Sequence, residues 1–552
     1  MNQQPSPLWT NATSQARMTG SWRSARPDYR TLPSPCLNAC PVDGRIAAWI
    51  GQIDEGDPHG AWLTLVDNNP FPAIAGRICH HPCESACNRQ HLDETVGICS
   101  LERHVGDRAL AEGWRFPEPA KSLDKSVAVV GGGPAGLSAA YQLRRRGYRV
   151  VLFESRDQLG GLLRYGIPAY RLDKAVLDGE IQRILDFGVE VKLGTCNLDG
   201  AALQGLRDEH DAVYLATGAS LSKTLPGLDY SQPWVMDSAD FLAETNAGEP
   251  CRLGRRMVVI GGGSAAMDVA RTARRLGKAV TVLSLEPDEL LPAQRVEVDE
   301  ALEEGIEFVT GAMMREARMT ADGLELDCVR VDFRPGETRG AFSVEPIADS
   351  DFVLAADAVV PSIGQDADLA RWNGLLDGAG ALVGTDAHWR TSTPGIFAGG
   401  DLASMERFVI QAIGMGKQAA REIDRYVRGP EAEADTPAGR EVAYDIINTH
   451  YHDPAERNLP AHTEVAARLQ TFDEVQQPLD TSAARDEAAR CFSCGTCIFC
   501  DNCYLYCPDM AITKLTRGYE VKIDYCKGCG LCVAECPTGS IAMYDEQQGA
   551  GG

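Results

Sequence analysis

Two runs near the end of the chain carry its plainest chemistry. CFSCGTCIFCDNCYLYCPD extends from Cys491 to Asp509, and CKGCGLCVAECPTG from Cys526 to Gly539. Each contains C-x2-C-x2-C-x3-C-P, as Cys497, Cys500, Cys503 and Cys507 and then as Cys526, Cys529, Cys532 and Cys536. Thiolates at that spacing wrap a [4Fe-4S] cube, and in the doubled form the cysteine before the proline serves the other cluster. Two such clusters lie close enough to pass single electrons. Zinc knuckles need no doubled run of this kind, and disulfide frameworks belong to small secreted chains. Here ten of the nineteen cysteines follow residue 490 of a 552-residue protein.

Two glycine loops supply the second kind of chemistry. Gly131, Gly133 and Gly136 form G-x-G-x-x-G between the strand SVAVV and a helix opening at Pro134 and Ala135. The first glycine makes the turn, the second admits a pyrophosphate, and the third lets helix pack on strand. The helix N-terminus then faces the phosphates. Glu154 ends the next strand and is placed to take the ribose hydroxyls. The second unit, RRMVVIGGGSAAMDVARTARRLGKAVTVLSLE, has Gly261, Gly263, Ser264, Ala265 and Ala266 in the loop and Asp268 on the first helical turn. Its second strand ends near Glu286, which suits the free 2′-hydroxyl of NADH and would repel the 2′-phosphate of NADPH. Arg271, Arg274 and Arg275 on the intervening helix are the cations that could reach round to such a phosphate.

One loop should hold flavin and the other nicotinamide, since clusters take one electron and a nicotinamide gives two as hydride. The first unit is the expected FAD site. Gly160, Gly161 and Arg164 in QLGGLLRYGIPAYRLDK lie along the cofactor in this reading, with Thr217 and Gly218 in ATGAS on the return strand. Gly400 and Asp401 in AGGD are expected to reach the ribityl or phosphate region.

These residues require a multidomain α/β protein. The sequence divides into an N-terminal helical iron–sulfur domain over 1–120, an FAD-binding domain in two parts (121–250 and 361–427), an NAD(H)-binding domain over 251–360, a linker over 428–485 and a C-terminal α+β ferredoxin-like domain over 486–552. Both nucleotide-binding domains read as Rossmann-like units, an internal repeat. Residues 1–30 read as irregular, and the linker as a segment wrapping along the surface. The N-terminal sequence lacks an apolar signal region, and no stretch reaches the length of a membrane span. A reducing cytoplasm is the expected compartment, with no membrane insertion. A net charge of −25 argues against nucleic acid as a partner.

With those residues in view, the chain resembles the small subunit of bacterial glutamate synthase and the wider family of flavin- and cluster-dependent NAD(P)H oxidoreductases. The resemblance covers roughly 33–427 and is carried by CLNACPVDGRIAAWI, NPFPAIAGRICHHPCESACNR, VVGGGPAGLSAAYQLRRRGYRVVLFE, GGLLRYGIPAYRLDK, GGGSAAMDVARTARRLG and GGDLASMERFVIQAIGMGKQAA. It implies FAD at the first unit, nicotinamide at the second, and electron transfer to a partner protein or domain. Members with an NADPH site commonly carry Tyr-Arg-Arg where this chain has Ser284, Leu285 and Glu286, so NADH is expected. The resemblance also implies one N-terminal cluster held by Cys40, Cys79, Cys83 and Glu102. A cluster drawing on Cys36 or Cys87, or a clusterless remnant, stays open, because the C-x2-C pair that precedes C-x3-C-P in the family is missing ahead of Cys36.

The ferredoxin tail is an addition. Similar tailed proteins work beside sulfite reductase or 2-oxoacid:acceptor oxidoreductases, which makes such complexes, or a ferredoxin, the expected partners. Cys491 and Cys494 could substitute as tail ligands, although Cys497 keeps the fourfold spacing. Cys99, Cys196, Cys251 and Cys328 read as small buried hydrophobes. The expected route runs from NADH to flavin, then singly through the N-terminal cluster to the tail, in either direction. Hydride transfer needs no acid–base residue, so none is assigned as catalytic. An electron-relay or assembly subunit with an idle NADH site, and a true glutamate synthase small subunit, are the alternatives. Oligomeric state is left open.

Overall fold

Alternating buried strands and glycine turns produce two separate parallel sheets. In the computed structural model, which describes residues 19–196, 198–321, 323–337, 341–372, 374–432 and 441–546, the first sheet has the spatial order Ile396–Ala398, Ala212–Leu215, Ser126–Val130, Arg149–Phe153, Glu190–Lys192. All neighbours in it are parallel. Val127 to Val130 are buried, as expected of a parallel sheet covered on both faces. The second sheet runs Ala358–Pro361, Arg256–Ile260, Ala279–Leu283, Glu307–Val309. An antiparallel three-stranded sheet built from residues 312–356 is inserted before its last strand. Elements ahead of residue 251 pack on the second unit. Val235 bridges in parallel to Val359, and Phe241 and Leu242, on the Ser238–Asn246 helix, join its core. Two short strands, Leu221–Ser222 and Gln365–Asp366, pair antiparallel and join the two units.

Short helices from Pro35 to Ala111 form the N-terminal region. They share a core with the first nucleotide unit: the Trp62 ring stacks on Phe116 at 5.8 Å, Phe116 meets Tyr141 at 4.5 Å, and the Tyr141 hydroxyl donates to the Val66 carbonyl at 2.7 Å. The Pro72–Ile78 and Ile98–Ala111 helices cross where Gly76 faces the Arg103 backbone and Gly106 faces Ala73; a Cβ at either would collide. That close crossing sets Glu102 over the end of the helix leading to Cys79.

Residues 25–29 are not irregular. Ala25–Tyr29 is a strand paired antiparallel with Ile541–Asp545, Pro27 facing Met543. Proline is tolerated because the sheet has only two strands, so every position is an edge. The expected linker is a strap in contact with every region. Val442 N donates to Pro33 O, Asn448 N to Cys536 O, and Val475 N to Tyr170 O, while Arg468 pairs with Glu303 and Glu474 with Arg77 and Arg103. Readings that concern residues 1–18, 433–440 and 547–552 lie outside the described residues.

Candidate redox site

A long cleft opens along the ends of the first sheet. Gly131, Gly133, Pro134, Ala135, Glu154 and Gly161 line one side, and Thr217, Gly218, Gly400 and Asp401 the other. Gly131 has φ +110°, and a Cβ there would strike the Ala216 carbonyl; a Cβ at Gly136 would strike the Gly131 carbonyl. The loop can therefore bring backbone N–H groups, undisturbed by side chains, to a pyrophosphate. Glu154 is already oriented. Its Oε2 accepts from Gly132 N at 2.7 Å, and its Oε1 accepts from Arg156 N at 2.8 Å and Ser155 Oγ at 3.1 Å. Asp401 is pushed up to about 6 by burial, with Arg407 opposing. Such a carboxyl is suited to hydrogen-bond a polyol in either protonation state. Gly160 holds the turn, donating its N–H to Gly132 O at 2.8 Å. Arg164 does not line the cleft; its Nε donates to Leu159 O at 2.6 Å and its guanidinium pairs with Asp178. A dinucleotide fits this cradle.

At the second loop, Gly263 caps a helix from Ser264 to Arg275, with Ala265 on its first turn and Ala266 buried. Glu286 lies beside the loop, its Oε2 3.2 Å from where a Cβ on Gly262 would be and accepting from Ser284 Oγ at 2.5 Å. Arginines are held elsewhere. Arg271 and Arg275 are buried on Glu304, and Arg274 donates to the carbonyls of Glu304 and Lys278. Asp268 is buried against Arg171 at 2.8 Å rather than facing the loop, and Arg171 also pairs with Glu297 at 2.7 Å. Burial raises Asp268 to about 6 despite that cation. Asp268 thus ties the second unit to the first.

Cys40, Cys79, Cys83 and Glu102 are neighbours. The field of Glu102 bears on all three thiols, and Cys79 and Cys83 each feel Cys40. Asn69 Nδ2 donates to Glu102 Oε1 at 2.8 Å, while burial pushes the carboxyl up to about 8. Such a pKa marks a buried acid without a cation, which a metal centre would supply. This quartet abuts the first nucleotide unit. The His80 ring stacks on Phe408 at 3.9 Å, just ahead of the Val409–Arg428 helix. On that helix Lys417 Nζ donates to Val42 O at 2.6 Å and Asp43 Oδ2 at 3.1 Å.

In the tail the sets cross over. Cys536 acts on Cys497 and Cys500, while Cys507 acts on Cys526 and Cys532. Cys507, Cys526, Cys529 and Cys532 line one small cavity that Pro27 also walls. Cys503 stands with Cys497 and Cys500. Ala511 N donates to Cys507 Sγ at 3.2 Å, a bond that would support a thiolate.

The family model for pyridine nucleotide-disulphide oxidoreductase matches residues 125–420, more than half of the chain. The chain belongs to this family. The model for dihydropyrimidine dehydrogenase domain II, 4Fe-4S cluster, matches 28–114, and a 4Fe-4S binding domain matches 519–542. The protein is an FAD- and iron–sulfur-dependent NAD(P)H oxidoreductase, related to the glutamate synthase small subunit. It is 34% identical over 505 residues to the NADP(+)-dependent formate dehydrogenase subunit beta of Moorella thermoacetica, covering 84% of this chain and 71% of the relative. It is 32% identical over 510 residues to the NADPH-Fe(3+) oxidoreductase subunit beta of Geobacter sulfurreducens, covering 84% and 75%. The glutamate synthase [NADPH] small chain of Escherichia coli is 33% identical over 411 residues, covering 70% and 87%.

Unlike a dithiol member of the pyridine nucleotide-disulphide oxidoreductase family, this chain has within 125–420 only the widely separated Cys196, Cys251 and Cys328. Cys99 and Cys328 are buried as expected, but Cys251 is only half-buried and Cys196 is exposed at the cleft of the first nucleotide unit. Sequence reasoning also passed over Arg156, which lines the cleft and lies over the Tyr165 ring at 4.0 Å, and Lys417. The Ser-Arg after Glu154 was the available signal for Arg156; nothing local marks Lys417. No helix among the described residues is long and apolar enough to cross a membrane.

Proposed function

We propose that this chain is an NADH-linked electron-transfer subunit exchanging electrons between NAD(H), FAD and [4Fe-4S] clusters, to or from a redox partner protein. The observation that carries this reading is the packing of the Cys40–Cys79–Cys83–Glu102 quartet directly on the flavin unit through His80, Phe408 and Lys417. When bound, FAD would split a hydride's electron pair and the clusters would carry the electrons singly. The chain's own residues orient and insulate: Glu154 and Asp401 grip the dinucleotide, Glu286 selects the nicotinamide nucleotide, and Asn69 holds Glu102 toward the cysteines. The crossed tail sets support two clusters there, facing a partner. A 2-oxoacid oxidoreductase, a sulfite reductase or a ferredoxin fits that description, as do the partners implied by the names of the beta-subunit relatives; a reducing cytoplasm suits all of these centres.

Anaerobic stopped-flow mixing with NADH, without partner, tests the proposal. Flavin bleaching followed by loss of the clusters' visible absorbance is expected. A flavin that NADH leaves oxidised would instead mark a relay or assembly subunit.

A further inference from the structure

Four cysteines outside the sets above meet at one place. Cys36, on the Pro35–Ala39 helix, and Cys87, just ahead of the Asn88–His91 turn, come from the start of the chain. Cys491 and Cys494, just after the Thr481–Ala489 helix, come from its end. All four line a single small apolar cavity walled by Ile50 and Ile98. Their charges reach one another: Cys36 is acted on by Cys87, Cys491 and Cys494, and Cys87 bears on both Cys491 and Cys494.

The surroundings are built rather than incidental. Ser34 Oγ is 3.1 Å from Cys36 Sγ, Asn88 Nδ2 donates to Cys494 Sγ at 3.6 Å, and Ser493 N donates to Cys491 Sγ at 3.4 Å. Polar N–H and O–H groups aimed at sulfur favour the thiolate form that a metal requires. The two chain ends are locked in register around them. Leu32 N donates to Gly495 O at 3.1 Å, and Gly495 N to Thr538 O at 2.7 Å. Gly495 adopts φ +71°, and a Cβ there would strike the Leu32 carbonyl. Buried Arg89, ion-paired with Asp93, donates to Arg490 O at 2.9 Å and lies over the Phe492 ring at 5.0 Å, tying the two chain ends together beside the cavity.

Four thiols could suit tetrahedral zinc or a cube, and the cube motifs of the adjoining tail favour the cube. Among the described residues no group of three or more His, Cys, Asp or Glu closes tightly enough for a single ion. That holds equally for the two tail sets, whose sequence spacing is that of a cube. A cube pushes its thiolates farther apart than tetrahedral zinc does, with Zn–S at about 2.3 Å. All four cysteines are free thiols.

We propose that Cys36, Cys87, Cys491 and Cys494 bind a further [4Fe-4S] cluster whose ligands come in pairs from the two ends of the chain. Its role rests on the electron-transfer reading; its ligands do not. Cys36 and Cys87 stand four residues from Cys40 and Cys83, and Cys494 stands three before Cys497. Extended chain caps those ligand separations at about 14 and 11 Å. The site therefore joins the quartet beside the flavin to the tail, filling the gap in the route.

The test uses the full chain, purified anaerobically, with iron, acid-labile sulfide, zinc and FAD quantified and the reduced clusters read by EPR. The wild type is expected to hold about 16 iron atoms, four for each of four sites. Cys36→Ser and Cys494→Ser, altering opposite ends, should each lose about four of them together with the same EPR signal. FAD content and NADH bleaching of the flavin should persist, and Cys196→Ser should lose no iron. The proposal is overturned if neither Cys36→Ser nor Cys494→Ser changes the iron content, if the two variants lose different signals, or if about one zinc per chain leaves in each. Should a variant not fold, the iron content of Glu102→Ala, which empties the quartet, decides: about 12 iron atoms left supports the site and about eight overturns it. Failure of NADH to bleach the flavin would sink the electron-transfer reading and leave the iron count to judge this site separately.

Discussion

Replacing Glu286 by Gln is the sharpest probe of nucleotide choice. The carboxylate sits 3.2 Å from the Cβ position of Gly262, so it borders the loop that receives the adenosine half. A 2′-phosphate carrying about two charges, at about 5 Å from it, is opposed by about 2 kcal/mol in water and about 7 kcal/mol at an effective dielectric of 20. Glu286 is half-buried, so the lower figure is the safer floor. It corresponds to about a 30-fold preference for NADH in kcat/KM. Arg271, Arg274 and Arg275 cannot offset it without breaking their bonds to Glu304 and neighbouring carbonyls. Gln keeps a partner for Ser284 Oγ but removes the charge. NADPH should gain about 30-fold and NADH should lose about fivefold, the cost of a weaker ribose hydrogen bond of about 1 kcal/mol. Steady-state viologen reduction with both nucleotides provides the ratio. A wild type that prefers NADPH, or a ratio that moves less than about threefold in the variant, refutes the reasoning.

Arg171→Met should leave Asp268 and Glu297 as buried carboxylates without their shared cation, lowering stability by about 3–5 kcal/mol; adding Asp268→Asn should recover part of the loss in thermal melts. Burial raises Glu180 from 4.5 to about 7, so the fold binds the proton more tightly than the unfolded chain does. The stability this group contributes is full below about pH 4.5 and is lost as pH rises through about 7; Glu180→Gln should flatten that decline, by up to about 3 kcal/mol, in melts from pH 5 to 8. Gly528→Ala would drive a Cβ into the Ala25 carbonyl from a backbone at φ +71°, so the tail chromophore should bleach faster in air with the flavin unchanged. Glu102→Ala should remove about four iron atoms while NADH still bleaches the flavin, and a variant with wild-type iron content would count against Glu102 as a ligand.

What sequence reasoning reached was local. Strand, glycine turn, helix and acidic strand end lie within about 30 residues, so the Gly131–Glu154 unit could be read and placed without knowing the rest. The crossover of Cys507 and Cys536 is an expectation that the doubled spacing carries by itself. What escaped depends on partners far away in sequence. Asp268 has the loop-proximal position of a nucleotide ligand, yet Arg171 from the other unit claims it. Arg271 and Arg275 look available on a helix until Glu304 is seen beneath them. Ala25–Tyr29 has neither alternation nor β-branched residues, and its strand character comes only from Ile541–Asp545. Cys196 reads as a small apolar residue, but the chain turns it toward the cleft of the first nucleotide unit.

The pairing of Ala25–Tyr29 with Ile541–Asp545 has a bearing on biosynthesis. Translation at about 5–20 residues per second separates the two strands by roughly 25 to 100 s. For that interval the first strand leaves the ribosome without a mate, and the nucleotide units can fold well before the tail can close. Cluster insertion at any site needing both ends of the chain must then be post-translational. A truncated product would keep its first nucleotide unit and never close the tail, so cells making incomplete chains would accumulate protein lacking the centres that need the C-terminal cysteines.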